Sequence, residues 1–468
     1  MSAGLAGLGA SRAALTAGLL LATFVLLEIG SLRRMSLTLD EPYHYRYGRQ
    51  ILRFDAARDK ENASKMPFSA LNALPGMLAG MLPPGPLRQQ LQTIAFARYV
   101  TVLAAVLLGW LVFRWAGALY GPAAGILALT LYVFDPNILA HGGLVTSDLY
   151  AAWMITLSVW AFWRFLNHEG PGRWSAATVS AGCFGLAQLA KYTSVYLVPI
   201  LLLTAAGHAA PDLWARVRGR DWRGLGARVV RAGQYAALHV AAFLVIVNAG
   251  FWGHGTFKPL REYRFESRQF DALRSAMGPL AGVRVPVPEP YLEGLDRVLS
   301  VERGGTRVYL LGQFGAPGER FLGYYPIAWL FKEPIATQLL LLLALGAYLV
   351  RCRRFDFRRN EWPLAATALF FAWYFTFVFN RQTWFRWVIV VLPILFVFTG
   401  SLLRDAATLG RGQRTVVGCL VLYLVVSVLS YYPHFIPYFN ELVWDRTKAY
   451  RILMGSNINY GQNAWYVR

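Results

Sequence analysis

Charge is scarce in this chain. Asp, Glu, Lys and Arg make up 15% of its 468 residues, against 56% hydrophobic residues. A water-soluble domain of this length would carry more. The charge present leans one way, with 46 Lys and Arg against 25 Asp and Glu. The excess does not describe a nucleic-acid protein: the arginines gather in short stretches between hydrophobic runs and leave no basic soluble domain to hold a duplex. Cysteine is scarcer still. Of three, Cys183 and Cys419 lie in apolar stretches and Cys352 in a basic loop, a set that supports neither a disulfide framework nor a metal cluster. The sequence also lacks an internal repeat, a low-complexity tract and a glycine-rich phosphate loop.

Long apolar runs are abundant. They fall at about 13–30, 93–116, 122–140, 149–166, 175–190, 192–207, 233–252, 325–350, 363–380, 387–403 and 416–432. Many approach the roughly 20 residues that span a bilayer, which predicts an all-α polytopic membrane protein of about eleven helices. The first run has only Arg12 before it and no small-residue cleavage site, so it reads as a retained helix. The 175–207 stretch is best divided near Lys191, because a lysine at mid-bilayer is costly.

Arginine counts orient the helices. Segment 208–231 holds six, 351–362 five and 404–414 three. With the N-terminus inside, all three segments fall on the cytoplasmic side. Two long loops, 31–92 and 253–324, and the tail 433–468 then lie outside. The division predicts a membrane body over 1–432 and a short exterior tail. Within 253–324, "VPVPEP" reads as an extended linker. Arg261, Arg264 and Arg268 at helical spacing either cover an acceptor or form a solvated face.

The stretch "TLDEPYHYRYGRQILRF" (38–54) follows the first apolar run. Taken as a helix over 43–54, it puts Tyr43, Tyr47, Ile51 and Phe54 on one face and Arg46, Arg49 and Arg53 on an adjoining stripe, as an interfacial helix would. The Asp40–Glu41 pair before it fits helix capping, with Pro42 in the first turn. It equally fits a site, because Asp148 opens another apolar helix on the same side. Two carboxylates at neighbouring helix mouths can serve as base and as anchor for sugar or metal. His141 lies nearby. Lys65, Arg98, Lys191, Lys332 and Arg386 gather towards the same face. Singly they snorkel; together with carboxylates they form a receptor for a phosphate held at the membrane surface.

These stretches resemble a known superfamily, the GT-C-fold glycosyltransferases that use polyprenyl-phosphate sugars, and within it the protein O-mannosyltransferase and aminoarabinose transferase group. The likeness rests on "LDEPYHYRYGRQIL", "SKMPF", Arg98, "DPNILAHGGLVTSDL", "LAKYTS", "YYPIAWLFKEP" and the tail "YFNELVWDRTKAYRILMGSNINYGQN". It departs at Asn459 and Asn463, where the family has Asp, and at Val390, where a proline is usual; Arg386, Trp387 and Pro393 are kept.

The resemblance implies a GT-C fold with interfacial helices in the first and fourth outer loops. It assigns catalysis to Asp40 as base, with Glu41 as its partner and Asp148 as the second acidic position. Lys65 and Arg98, with Lys191 and Arg386, would hold the donor phosphate, while Tyr43, His44, His141 and Lys332 are candidates to line the acceptor side. The implied partners are a polyprenyl-phosphate sugar, a hydroxyl-bearing acceptor (protein, lipid A or another glycan) and the bilayer. The implied setting is a bacterial inner membrane with the site facing the periplasm. A divalent metal on Asp40 or Asp148 is left open as a cofactor. The alternatives are a lipid-linked glycan transporter or flippase, whose charges would sit near the midplane, and an O-antigen ligase-like enzyme.

Overall fold

A computed structural model describes residues 2–57, 65–304, 307–316 and 318–464. Ser64 of the "SKMPF" stretch lies outside the described residues. All eleven apolar runs are helical in whole or large part. Among the described residues, six helices are long and apolar enough to cross a membrane, or seven if one bent pair is counted as a single span.

Two runs that read as single helices are broken, and proline explains both. Residues 122–140 divide into Pro122–Val133 and Pro136–His141. Asp135 precedes Pro136, is extended, and caps the second helix by accepting from the Asn137 and Ile138 amides at 2.9 and 2.7 Å. Residues 325–350 divide into Tyr324–Lys332 and Ile335–Val350, bent by 109°. There Glu333 is extended ahead of Pro334, as the proline ring requires of the residue before it. The predicted division near Lys191 is present: helix Arg173–Ala187 ends, Lys191 is extended, and a 3₁₀ turn, Tyr192–Tyr196, leads into Leu197–Arg218.

The core lies among Ile94–Tyr120, Pro122–Val133, Asp148–Asn167 and Leu392–Thr399, with Trp115, Tyr132 and Tyr150 wholly enclosed. Trp222–Gly250 packs on one side only and leaves most of its apolar surface outward, as a lipid-facing helix does.

One face carries the long loops. The first loop forms Glu41–Leu52 and Ser69–Leu78, which pack so closely that a Cβ on Gly48 would meet the Ser69 carbonyl oxygen at 2.1 Å. Only glycine fits there. The Arg46, Arg49 and Arg53 stripe is exposed as its spacing predicts. The apolar face differs from expectation. Tyr47 and Ile51 are buried against Val247, Phe251 and Tyr291 of the protein itself, while Tyr43 is exposed and Phe54 lies beyond the helix end. The fourth loop forms Arg268–Met277 and Glu289–Gly304. Arg261 and Arg264 precede the first of these, so the three arginines share no helix face, and all are exposed. The tail is sewn onto the same face by backbone bonds from Ser36 N to Gln462 O at 3.0 Å and from Leu39 N to Tyr460 O at 3.1 Å.

Candidate active site

Asp40 stands one residue before helix Glu41–Leu52, yet its side chain makes no capping bond. Its carboxylate turns into a cavity of about 280 Å³ also lined by His44, Lys65, Asp148, Lys191 and Arg386. One oxygen, Oδ2, accepts from Arg386 Nη2 at 3.0 Å and from the Tyr460 hydroxyl. Capping alone does not account for this acid.

Glu41 has a different fate. It is fully buried, and Arg98 grips it through two bonds, Nε to Oε1 at 2.8 Å and Nη2 to Oε2 at 2.6 Å. Its oxygens also accept from the Thr38 and Val145 amides at 2.7 and 3.1 Å. Arg98 further donates to the Met35 and Ser36 carbonyls at 3.2 and 2.8 Å. The paired planes satisfy each other. Glu41 and Arg98 therefore form a clamp that fixes the loop carrying Asp40. Neither lines the cavity, which corrects their expected placement in catalysis and phosphate binding.

Asp148 is the first residue of its helix, and its Oδ1 accepts from Lys191 Nζ. Its Oδ2 lies 3.6 Å from Arg386 Nε. Arg386 thus bridges the two acids. Its guanidinium sits 4.0 Å from the Trp384 ring centre and 4.6 Å from that of Tyr460, while Lys191 Nζ lies 4.1 Å from the Trp387 ring centre. Cations seated on aromatic faces keep their charge with little water.

Of the remaining candidates, only His44 lines the cavity. Lys332 donates to the Ile436 and Asn457 carbonyls, each at 2.9 Å, and so ties its helix to the tail. His141 is buried behind the wall near Asp148. Tyr43 points outward beside Arg46. His44 lines the cavity and meets Ser69 Oγ at 3.3 Å. Asn459 is exposed and Asn463 half-buried.

Several groups at the site did not stand out in the sequence. Tyr460 lay unmarked between the two asparagines that depart from the family tail. Trp384 and Trp387 flank Arg386; Trp387 is among the residues the resemblance keeps, whereas Trp384 was unmarked, and aromatic spacing around an arginine is the signal that would have found it. Glu302, from Glu289–Gly304, lines the wall with Arg381 and accepts from the Tyr374 hydroxyl at 3.1 Å. The lining thus holds five Lys and Arg against three carboxylates.

The electrostatics follow from this crowding. Burial pushes the Asp40 carboxyl up, but Arg386, Lys65 and the Tyr460 hydroxyl outweigh it and hold it at about 2. Burial, and next Lys65, keep His44 well below the usual histidine range. Burial also pulls Lys65 down, with Asp40 opposing. Burial pushes Glu302 up to about 7 despite Tyr374 and Arg381. Asp40 and Asp148 each face two cations, so a divalent metal fits poorly on either, and the described residues hold no group of three His, Cys, Asp or Glu suited to one. An excess of fixed positive charge beside an ionised acid suits a different ligand, an anion next to a group that loses a proton.

Residues 91–218 match the family model described as dolichyl-phosphate-mannose-protein mannosyltransferase. No curated protein matches the chain. Among solved structures, ArnT from Cupriavidus metallidurans bound to undecaprenyl phosphate is similar at 15% identity and TM-score 0.51, over 94% of this chain and 72% of that one. Its apo form gives a TM-score of 0.50 with the same identity and coverage. An Archaeoglobus fulgidus oligosaccharyltransferase tethered to an acceptor peptide reaches TM-score 0.50 at 12% identity, over 95% of this chain and 60% of that one. The chain therefore has the GT-C glycosyltransferase fold and carries, over residues 91–218, the sequence signature of the dolichyl-phosphate-mannose-protein mannosyltransferase family.

Proposed function

We propose that this protein is an inverting glycosyltransferase that moves a sugar from a polyprenyl-phosphate donor to a hydroxyl acceptor. The observation that carries this reading is the position of Arg386, bonded to Asp40 on one side and facing Asp148 on the other within a cation-rich cavity. The similar ArnT structure was solved with undecaprenyl phosphate, which is the donor class such a cavity suits. The similar oligosaccharyltransferase carries an acceptor peptide.

In this mechanism Asp40 accepts the proton of the acceptor hydroxyl as its oxygen bonds to the anomeric carbon. The bond from that carbon to the phosphate oxygen breaks, and the polyprenyl phosphate leaves with the electron pair. Lys65, Lys191 and Arg386 stabilise the charge gathering on it, more in the transition state than before. The leaving phosphate needs no proton from an acid, so no second acid is required.

With Asp40 held at about 2, it is a weak base at rest. A donor phosphate competes for Arg386 and Lys65, draws them from Asp40, and so raises its basicity when the substrate is present. Donor binding thereby switches on the base. Asp148 positions Lys191 and Arg386. No metal enters the reaction, in keeping with the cations already facing both acids.

The arginine-rich segments 208–231, 351–362 and 404–414 support a cavity that faces the exterior of a bacterial inner membrane. The direct test is transfer from a synthetic prenyl-phosphate sugar by the purified protein in detergent. Asp40→Asn should lower turnover by roughly 10²–10⁴-fold while the protein stays folded; near-full transfer by that variant removes the assignment of the base.

A further inference from the structure

A second cavity lies far from the site. Helix Asp148–Asn167 runs away from the charged face for 20 residues, about 30 Å at 1.5 Å per residue. At its far end begins a groove of about 440 Å³ between this helix, Arg173–Ala187, Leu197–Arg218 and Trp222–Gly250. Phe162, Phe184, Leu201, Leu202 and Val198 make its walls apolar. The groove opens beside Trp222–Gly250, the helix with the most outward apolar surface, so it is a place for hydrocarbon.

Its mouth is cationic. Arg173, Arg228, Arg231 and His208 line the same groove. Arg173 begins its helix and lies 5.5 and 5.9 Å from the ring centres of Phe165 and Tyr235. Its Nε is buried and has no hydrogen-bond partner in the protein, although its guanidinium faces the groove. Arg228 has one acidic neighbour, Asp212, at 3.3 Å, which Arg216 shares at 3.2 Å. A polar cleft continues from His208 and Arg228 towards Arg359, whose own acidic neighbours, Glu169 and Asp356, lie at 3.4 and 3.7 Å. Basic charge outnumbers acidic charge at this mouth.

A long apolar slot ending in three arginines, one of them with an unpartnered buried nitrogen, is complementary to one kind of molecule. We infer that the groove binds an anionic glycerophospholipid in the leaflet opposite the active site, an acyl chain between the helices and its phosphate on Arg173, Arg228 and Arg231. A lipid without a phosphate would fill the slot but leave the buried Arg173 Nε unsatisfied, and a zwitterionic one would set its own cation among the arginines. The site stands apart from the proposed chemistry and does not depend on it.

The test is native mass spectrometry of the full chain in detergent, titrated in turn with phosphatidylglycerol, phosphatidylcholine and undecaprenyl phosphate. The wild type should retain one phosphatidylglycerol about tenfold more tightly than phosphatidylcholine, because the choline cation opposes the same arginines that its phosphate meets. The R173Q/R231Q pair should lose that preference. V198W, at a half-exposed groove position, should obstruct the chain and weaken retention with all charges in place. Equal retention of the two phospholipids overturns the inference. So does wild-type retention by both R173Q/R231Q and V198W, or stronger binding of undecaprenyl phosphate that R173Q/R231Q abolishes.

Discussion

The hydroxyl of Tyr460 and the guanidinium of Arg386 converge on one oxygen of Asp40, although the three residues come from the tail, a late helix turn and the first loop. Tyr460 also accepts from Arg386, so the three form a closed triangle. Burial pushes the Tyr460 hydroxyl up, which keeps it a donor to the carboxylate at any working pH.

That triangle makes the first prediction. A hydrogen bond to an ionised acid favours the ionised form, so Tyr460→Phe should raise the affinity of Asp40 for its proton. The acid limb of kcat/KM reports the free enzyme. It should lie near pH 2 in the wild type and climb towards the ordinary 3.8 in the variant. Identical limbs would detach Tyr460 from the base.

Arg386→Gln removes one charge from the phosphate and one partner from each acid. Turnover should drop by about 10²–10³-fold, as when a preorganised charge-stabilising donor is lost. Arg386→Lys should recover only part of this, because an ammonium cannot lie flat on Trp384 while meeting both acids. Single-turnover kinetics with a prenyl-phosphate sugar would measure both.

The Glu41–Arg98 clamp predicts a different pattern. Arg98→Gln strands a buried carboxylate, which costs about 3–5 kcal/mol. Thermal inactivation in detergent should therefore come earlier, with kcat less affected than in Asp40→Asn at temperatures where the variant is folded. A loss of kcat equal to that of Asp40→Asn, at unchanged melting, would return Arg98 to the chemistry.

Glu302 should mark the pH dependence of stability. Its folded value of about 7 lies above its ordinary 4.5, so the folded state binds more protons between these limits. Its contribution to stability is whole below about pH 4.5, falls as pH rises, and levels off above about 7. Melting curves should show Glu302→Gln relatively more stable than wild type at pH 8 than at pH 4. The opposite slope would place the carboxyl in another environment.

Transfer should also persist in a chelator, because Asp40 and Asp148 already face Arg386, and Lys191 bonds Asp148. Activity lost to chelator and restored by a divalent ion would refute the metal-free mechanism.

Much of this was legible in the chain. Apolar length found the helices, and the cost of a membrane lysine located the break at Lys191. The acidic residues at helix mouths marked Asp40 and Asp148. The neighbours Asp40 and Glu41 could not be told apart, since adjacent residues point in different directions and only packing reveals which meets Arg98. Lys332 was misplaced for the same reason: a buried lysine satisfied by carbonyls looks like a site lysine in one dimension. Tyr460 was missed because its partners lie 74 and 420 positions away. Chain breaks at Asp135 and Glu333 hinged on single prolines within otherwise continuous apolar runs.

Because residue 460 completes the triangle around Asp40, that triangle cannot form until synthesis has passed the helices that precede it. It closes only when the segment around Tyr460 folds back onto Ser36 and Leu39, so its assembly follows that of most of the membrane body.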